Sequence, residues 1–463
     1  MRLFFLSFSI AWVLFSACTG SIGSSGRPDG EEDAPFGPDG MDGDAGFPGD
    51  DGSSADAGHD AGPDAGADPG FDAGPDGGGA DPGADAEGDA GTDAGDDTGP
   101  GDGDGAPARV LQVGPTRTYK TPCQAAAAAR DGDVIEIDAG EYVGDVCAWT
   151  KNDLIIRGVG GMAHLRAGGA AYGGKAIWVI QGDRTTVERI EFSGCSVPDR
   201  NGAGIRQEGT HLTVRHCFFH DNEDGILAGD DAESDILIEY SEFARNGYGD
   251  GQSHNLYVNH VRRLTFRFNY SHDAHQGHLL KSRAHENLIL YNRLTDEVGD
   301  PSYTVQLPNG GRSILIGNLL QQGPNSPNHT LLSYGDEGLS NPTPQLFMVN
   351  NTLVNDYDGG TFVRIASGAT ATLINNLFVG SGTRLSGTAQ ETATVTDASG
   401  ACLANRAGYD YRLTVGCPAI GAGGDPGSAA GFDLVPRSEY LHPCSEEARP
   451  VDGALDVGAF EYR

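Results

Sequence analysis

The sequence predicts an all-β fold: a single parallel β-solenoid over residues 107–463, with a helical cap at its N-terminal end and a disordered tether before it. Two observations predict the solenoid. The first is an internal repeat of apolar strands, each ending on a small or amide residue: Cys217, Ser241, Asn269, Asn292, Asn318, Asn351 and Asn376. Their spacings are 24, 28, 23, 26, 33 and 25 residues. Fixed strands joined by loops of variable length are the signature of stacked coils. The second is another strand series that keeps step with the first: Ile205–Glu208, Ile226–Gly229, Leu256–Asn259, His278–Ala284, Val305–Pro308, Leu332–Gly335 and Val363–Ala366.

The chain begins with Arg2, an apolar run from Leu3 to Phe15, and Ser16-Ala17-Cys18. That run is too short to span a bilayer and reads as an export signal over residues 1–18. Its end is similar to a lipoprotein lipobox, with Phe15 where leucine is usual and Cys18 as the lipidated residue. The expectation is export, with the protein lipid-anchored to the outer membrane or cell surface, toward which Thr19 points. The alternative is a soluble secreted protein. Residues 19–106 repeat Asp-Ala-Gly, Gly-Pro-Asp and Ala-Asp-Pro with few apolar side chains, so they cannot offset their ordering entropy. They hold 24 of the 66 acidic residues and one base, Arg27, so the net charge of −36 belongs mostly to this tether. A flexible chain of that length spans about 50 Å.

Within 107–463, Thr121 to Ala129 predicts a small helix and Val134 to Tyr142 a first strand. An Ala-rich helix there would cover the exposed first edge of a solenoid. Cys417–Gly423 and Asp456–Tyr462 are expected to close the other end. Export permits disulfides. The expected pairs are Cys123–Cys147 and one among Cys402, Cys417 and Cys444. Seven cysteines follow Cys18, so at least one thiol is left over, with Cys217 the best candidate. No Cys-x-x-Cys pair supports zinc. Lys and Arg do not cluster as nucleic-acid binding requires, which excludes that partner. A monomer is expected.

Strand alternation separates two columns in the second series. Ile205, Ile226, Leu256, Leu280, Val305, Leu332 and Val363 face inward. Arg206, Leu227, Tyr257, Lys281, Gln306, Ser333 and Arg364 face outward, with Glu208, Asn259 and Arg283 two places further on. The Asn column of the first series is structural, because amides stacked at about 4.8 Å can bond one another and the bent backbone. Six of thirteen histidines lie between His254 and His285. Together with Tyr257, Lys281, Arg283, Asn255 and Asp273 they make the densest polar cluster, and excursions at 227–253 and 319–331 are expected to wall it. His272 and His275 read as surface residues, and Asp296, Glu297 and Asp300 as a solvated acidic loop with weak calcium potential.

The runs GDVIEIDAGEY (132–142), CPAIGAG (417–423) and DVGAFEY (456–462), with the Asn column, resemble secreted bacterial proteins of the right-handed parallel β-helix, pectin-lyase-like class. SHNLYV (253–258), GHLLKSRA (277–284) and QLPNGG (306–311) resemble a recurrent subgroup of them. The resemblance implies a right-handed coil and a protein that acts on or binds polysaccharide. Lyases of this fold use Lys and Arg on an outer strand face, often with calcium, but the carboxylates that hold calcium in them are not matched here. β-Elimination on a uronic-acid polymer needs a cation for the substrate carboxylate, a base for the C5 proton and an acid for the C4 oxygen. Arg283 suits the first role, Lys281 the second if Arg283 lowers its pKa, and Tyr257 or His254 the third. Asn255, Asn259, His278 and Gln306 would bind an acidic polysaccharide. The alternative is a surface β-helix that binds glycan or cells without turnover. Third come a hydrolase, for which Asp230-Asp231 is the carboxylate pair, and a C5-epimerase, whose motif His272-Asp273-Ala274-His275 faintly echoes.

Overall fold

The computed structural model describes residues 108–450 and 453–463. The export signal, Cys18 and the tether lie outside the described residues. Within them the chain winds into a parallel coil with three strand-bearing faces. The first face stacks ten strands in chain order, from Cys147–Trp149 through Leu256–Val258, Lys281–Ser282 and Val305–Leu307 to Thr383–Ser386. The second includes Asp235–Glu239, Arg263–Arg267, Glu286–Leu290 and Arg312–Ile316. The third includes Ile190–Ser193, Phe218–His220, Glu242–Ala244 and Tyr270–His272. Each strand pairs with its counterpart one coil earlier and one coil later, always in parallel. No described helix is long and apolar enough to cross a membrane.

Strand alternation explains what the coil buries. Ile205, Ile226, Leu256, Leu280, Val305, Leu332 and Val363 are all fully buried. Their neighbours Arg206, Leu227, Tyr257, Lys281, Gln306, Ser333 and Arg364 pair rung to rung as one outward column. Rings stack inside at the repeat of the coil. Phe192, Phe219 and Phe243 follow one another at 5.0 Å, and Trp149 and Trp178 continue the row.

The corner between second and third faces carries the amide column. Asn269, Asn292, Asn318 and Asn351 each donate from Nδ2 to the Oδ1 of the next amide at 2.9–3.1 Å. The same Oδ1 also accepts the preceding coil's backbone N–H. Each of these Nδ2 groups also reaches a carbonyl left open by the bend, such as Phe266 O at 2.8 Å from Asn292. The residue just before each amide is left-handed: Tyr240, Phe268, Tyr291, Asn350 and Asn375 all have φ near +50°. At that place in the Asn318 coil stands Gly317, where a Cβ would come within 2.5 Å of the Tyr291 ring. A second amide ladder turns the chain from third face to first. It runs Asn222, Asn246, Asn255, then Ser271, at 2.9–3.1 Å.

At the N-terminal end the helix spans Pro122–Ala128, with proline in its first turn and Ala125 in the core. Cys123–Cys147 ties it to the first strand of the first face, and Cys402–Cys417 is the second disulfide. Cys217 is a fully buried thiol, pushed up to about 12 by burial.

The C-terminal residues correct one expectation. Cys417 and Pro418 do lie beside Val395–Asp397 of the last coil, but Asp456–Tyr462 run back along the flank. Gly458 N donates to Asn375 O, Asn350 Nδ2 to Asp456 O, Arg437 N to the Tyr291 hydroxyl and the Tyr240 hydroxyl to Glu446. The buried pair Arg449–Glu461, at 2.7 Å, organises this strap.

Candidate active site

Register carries Tyr257 next to Lys281, and Arg283 follows two residues on, past the strand end. The Arg283 guanidinium makes three contacts. Nε donates to the Tyr257 hydroxyl at 2.9 Å, Nη1 to Asn309 Oδ1 at 2.6 Å, and Nη2 pairs with Glu337 Oε2 at 2.6 Å. Glu337 also faces Lys281, whose Nζ lies 3.6 Å from Oε1 and 5.4 Å from the centre of the Tyr257 ring. Burial is the main cause that lowers the Lys281 pKa below its ordinary value. Arg283 adds to the effect and Glu337 opposes it. The expected cause, Arg283, is therefore real but secondary.

Asn309 reaches Arg283 because Gly310 and Gly311 adopt left-handed φ of 69° and 91° and turn the chain sharply; at Gly311 a Cβ would meet His285 O at 2.5 Å. Glu337 comes from the turn after Thr330–Tyr334 and is fixed by its N–H on Pro308 O. The Glu337 side chain is 40% exposed, so it can leave toward solvent.

Several expected residues are elsewhere. His254 is buried beneath Tyr257, edge-on to its ring, and its Nδ1 accepts the His278 N–H at 3.0 Å. His254 and His278 stack at 4.4 Å, and His278 meets Tyr303 edge-on. Burial, then neighbouring charge, holds both imidazoles well below the usual histidine range. His254 is thus sealed from any leaving group and cannot be the acid. His278 lies beneath the outward surface. Asn255 belongs to the second amide ladder, where its Nδ2 bonds Ser271 Oγ and His272 O. Gln306 is 4% exposed, with its amide on Asp336 Oδ2 at 2.9 Å. Of the expected binding residues, Asn259 alone keeps partial exposure in the trough.

The histidine run does not form one cluster. His272 is on the third face and mostly buried, between Asp273 and Glu242, so the surface reading of it fails. His275 is exposed and meets Asp300 at 3.1 Å. Asp296 is fully buried, with Oδ2 on Gly323 N, and is not a solvated acid. Asp230 and Asp231 sit in an exposed loop. A cavity of about 510 Å³ opens between loops holding Asp250 and Asn328, both inside the predicted walls. Its lining includes Arg364, three rungs beyond Lys281, but neither Lys281 nor Arg283. The carboxylates beside Lys281 do not fit calcium. Glu337 is engaged by two cations and Asp336 by an amide, where calcium takes six to eight converging oxygens.

Residues 147–320 match the family model for the right handed beta helix region. Among solved structures, pectate lyase Pel9A aligns at 13% identity with a TM-score of 0.54, over 77% of this chain and 97% of its own. An alginate lyase from Paenibacillus sp. str. FPU-7 aligns at 15% identity and a TM-score of 0.47, over 61% of this chain and 99% of its own. No curated protein matches the chain. The coil, the family match and the first of these likenesses together define the class. Residues 147–320 carry the right handed beta helix region, and the fold is that of a parallel β-helix, shared with pectate lyase Pel9A.

Sequence reading missed Glu337, Asn309 and Asp336. Asn309 stood inside the quoted run QLPNGG, whose Asn-Gly step signals a tight turn. Glu337 carried no local signal: an Asp-Glu pair between two glycines reads as a solvated loop.

Proposed function

We propose that the domain acts on an acidic polysaccharide and cleaves it by β-elimination at the Tyr257–Lys281–Arg283 trough. The observation that carries this reading is a half-buried lysine with a depressed pKa beside an arginine that already holds a carboxylate. The substrate carboxylate takes the place of Glu337 on Arg283, whose planar fork suits it. Lys281, neutral, takes the C5 proton. The C5–H electrons form the C4–C5 double bond, and the C4–O bond breaks. Because Arg283 donates to the Tyr257 oxygen, the hydroxyl's own proton remains for the leaving oxygen. The pectate lyase likeness in fold is consistent with this chemistry. Asn259 and the loops around Asp250 and Asn328 would contact neighbouring sugars.

One observation favours a second reading, glycan binding without turnover. Glu337 already pairs with both Lys281 and Arg283, and a binding surface needs no freed base. The full chain incubated with pectate, alginate and glycosaminoglycans, followed by the absorbance of unsaturated uronide, separates the two. Loss of signal in Lys281→Ala and Arg283→Ala, with circular dichroism unchanged, supports the lyase. Glycan retention with no unsaturated product supports the binder. We further propose that the domain is exported and held by a lipid on Cys18 through the tether, supported by the leader-like first 18 residues. Cys18→Ser should release the protein from membranes into the soluble fraction.

A further inference from the structure

The third face carries a separate convergence of side chains near the N-terminal end of the coil. His164, Glu191 and His220 come from three successive coils, on Ile155–Arg166, Ile190–Ser193 and Phe218–His220. Register places His164 beside Glu191, and His220 beside Ser193. One ligating atom from each of the three lies within 4.8 Å of the others. His220 Nε2 is 3.0 Å from Glu191 Oε1, and His164 Nε2 is 3.5 Å from the same oxygen. Tetrahedral zinc with bonds of about 2.0–2.1 Å sets its ligand atoms roughly 3.3 Å apart. The two separations straddle that edge length.

The surroundings are built in the manner of a metal site. His220 presents Nε2 to the cluster because Nδ1 is held by Asp221 Oδ2 at 2.6 Å. Asp221 is itself gripped by both arms of Arg245, at 3.0 Å each. A carboxylate on the distal ring nitrogen is how ligating imidazoles are oriented. His164 Nε2 meets Ser193 Oγ at 2.7 Å, a bond that an ion on that nitrogen would replace. The three side chains keep 13–24% exposure, so an ion can enter and a water can remain.

We propose that His164, Glu191 and His220 bind a divalent cation of the imidazole-preferring class, zinc foremost, with one position open. Two imidazoles and one carboxylate select zinc and its neighbours over calcium and magnesium, which prefer oxygen. Asp221 is a positioning residue. This site is independent of the trough on the first face.

The full chain, stripped with chelator, is loaded with Zn²⁺ or Co²⁺, passed through a desalting column and assayed for bound metal. The expected result is one ion retained per chain, a Co²⁺ visible spectrum of nitrogen and oxygen ligands, and a raised thermal midpoint. His164→Ala, His220→Ala and Glu191→Gln should each abolish retention while the metal-free midpoint and circular dichroism match the parent. Asp221→Asn should weaken affinity by about 10–100-fold with the fold kept. Absence of retained metal in the parent overturns the proposal. So do equal retention in the His164→Ala/His220→Ala double variant and thiolate charge-transfer bands with Co²⁺. If the alanine variants lose the fold, His220→Gln, which keeps a polar side chain on Asp221, gives the same reading.

Discussion

At the scale of single residues, the trough turns on which cation keeps its proton. Lys281 can act as a base only when neutral, so turnover should rise with pH through an inflection below the ordinary lysine value. Glu337 raises the Lys281 pKa in the free enzyme, so Glu337→Gln should move the inflection of kcat/KM to lower pH. A pH–rate profile that does not shift would remove Lys281 from the role of base. A buried acid gives a second test. Asp224 is fully buried and accepts the His254 N–H at 2.7 Å, and burial pushes it up to about 8. The folded state therefore binds the proton that the unfolded state has released. Stability from this group is full below the ordinary carboxylate value and is lost as pH rises from about 4 toward 8. Asp224→Asn should flatten that decline, read as thermal midpoint against pH.

At the scale of elements, strand identity and facing were legible because burial enforces a period of two; the inward column holds, and the outward one keeps its register although Leu227, Gln306 and Ser333 are covered. The amide column was legible because its spacing repeats. The second ladder was not, since Asn222, Asn246 and Asn255 are joined by loops of different length. That is why Asn255 read as a substrate ligand. Asn292→Ala removes an acceptor for Asn269 N and a donor to Phe266 O, all buried. At about 1–3 kcal/mol for each group left unsatisfied, the loss should be roughly 3 kcal/mol, seen as a lowered urea midpoint. We propose that the helix Pro122–Ala128 caps the first edge. Its disulfide closes a 24-residue separation, and removing it should cost about 3 kcal/mol. Hydrogen exchange in Cys123→Ser/Cys147→Ser should quicken at Val134–Val143 and stay slow around Tyr257. Uniform quickening would count against a local cap.

At the scale of the molecule, the coil was legible as far as its last strands, and the strap that follows was not. Its contacts join residues separated by up to 206 positions, such as Tyr240 and Glu446, and no periodicity announces them. Glu337 was hidden in the same way: it meets Arg283 across two coils. The Arg449–Glu461 pair is sealed, with side chains 1% and 2% exposed. Arg449→Ala leaves a buried carboxylate without its partner, which costs about 3–5 kcal/mol. The strap should detach first, seen as early proteolysis after residue 420 while the coil persists. Proteolysis no faster than in the parent would show that the strap holds without this pair.

The two amide ladders bear on how such a chain can change over generations. In the first ladder, from Asn269 to Asn376, each rung bonds to its neighbours through the same amide groups. Duplication of one coil of about 25 residues there would extend this ladder without altering its chemistry. The trough depends on Tyr257, Lys281, Asn309 and Glu337, which come from four adjacent coils. Tandem growth or loss between Tyr257 and Glu337 would part these groups, and between Tyr240 and Asn375 it would also break the contacts of the C-terminal strap. Length in this molecule is fixed in its middle, where trough and strap each span several coils.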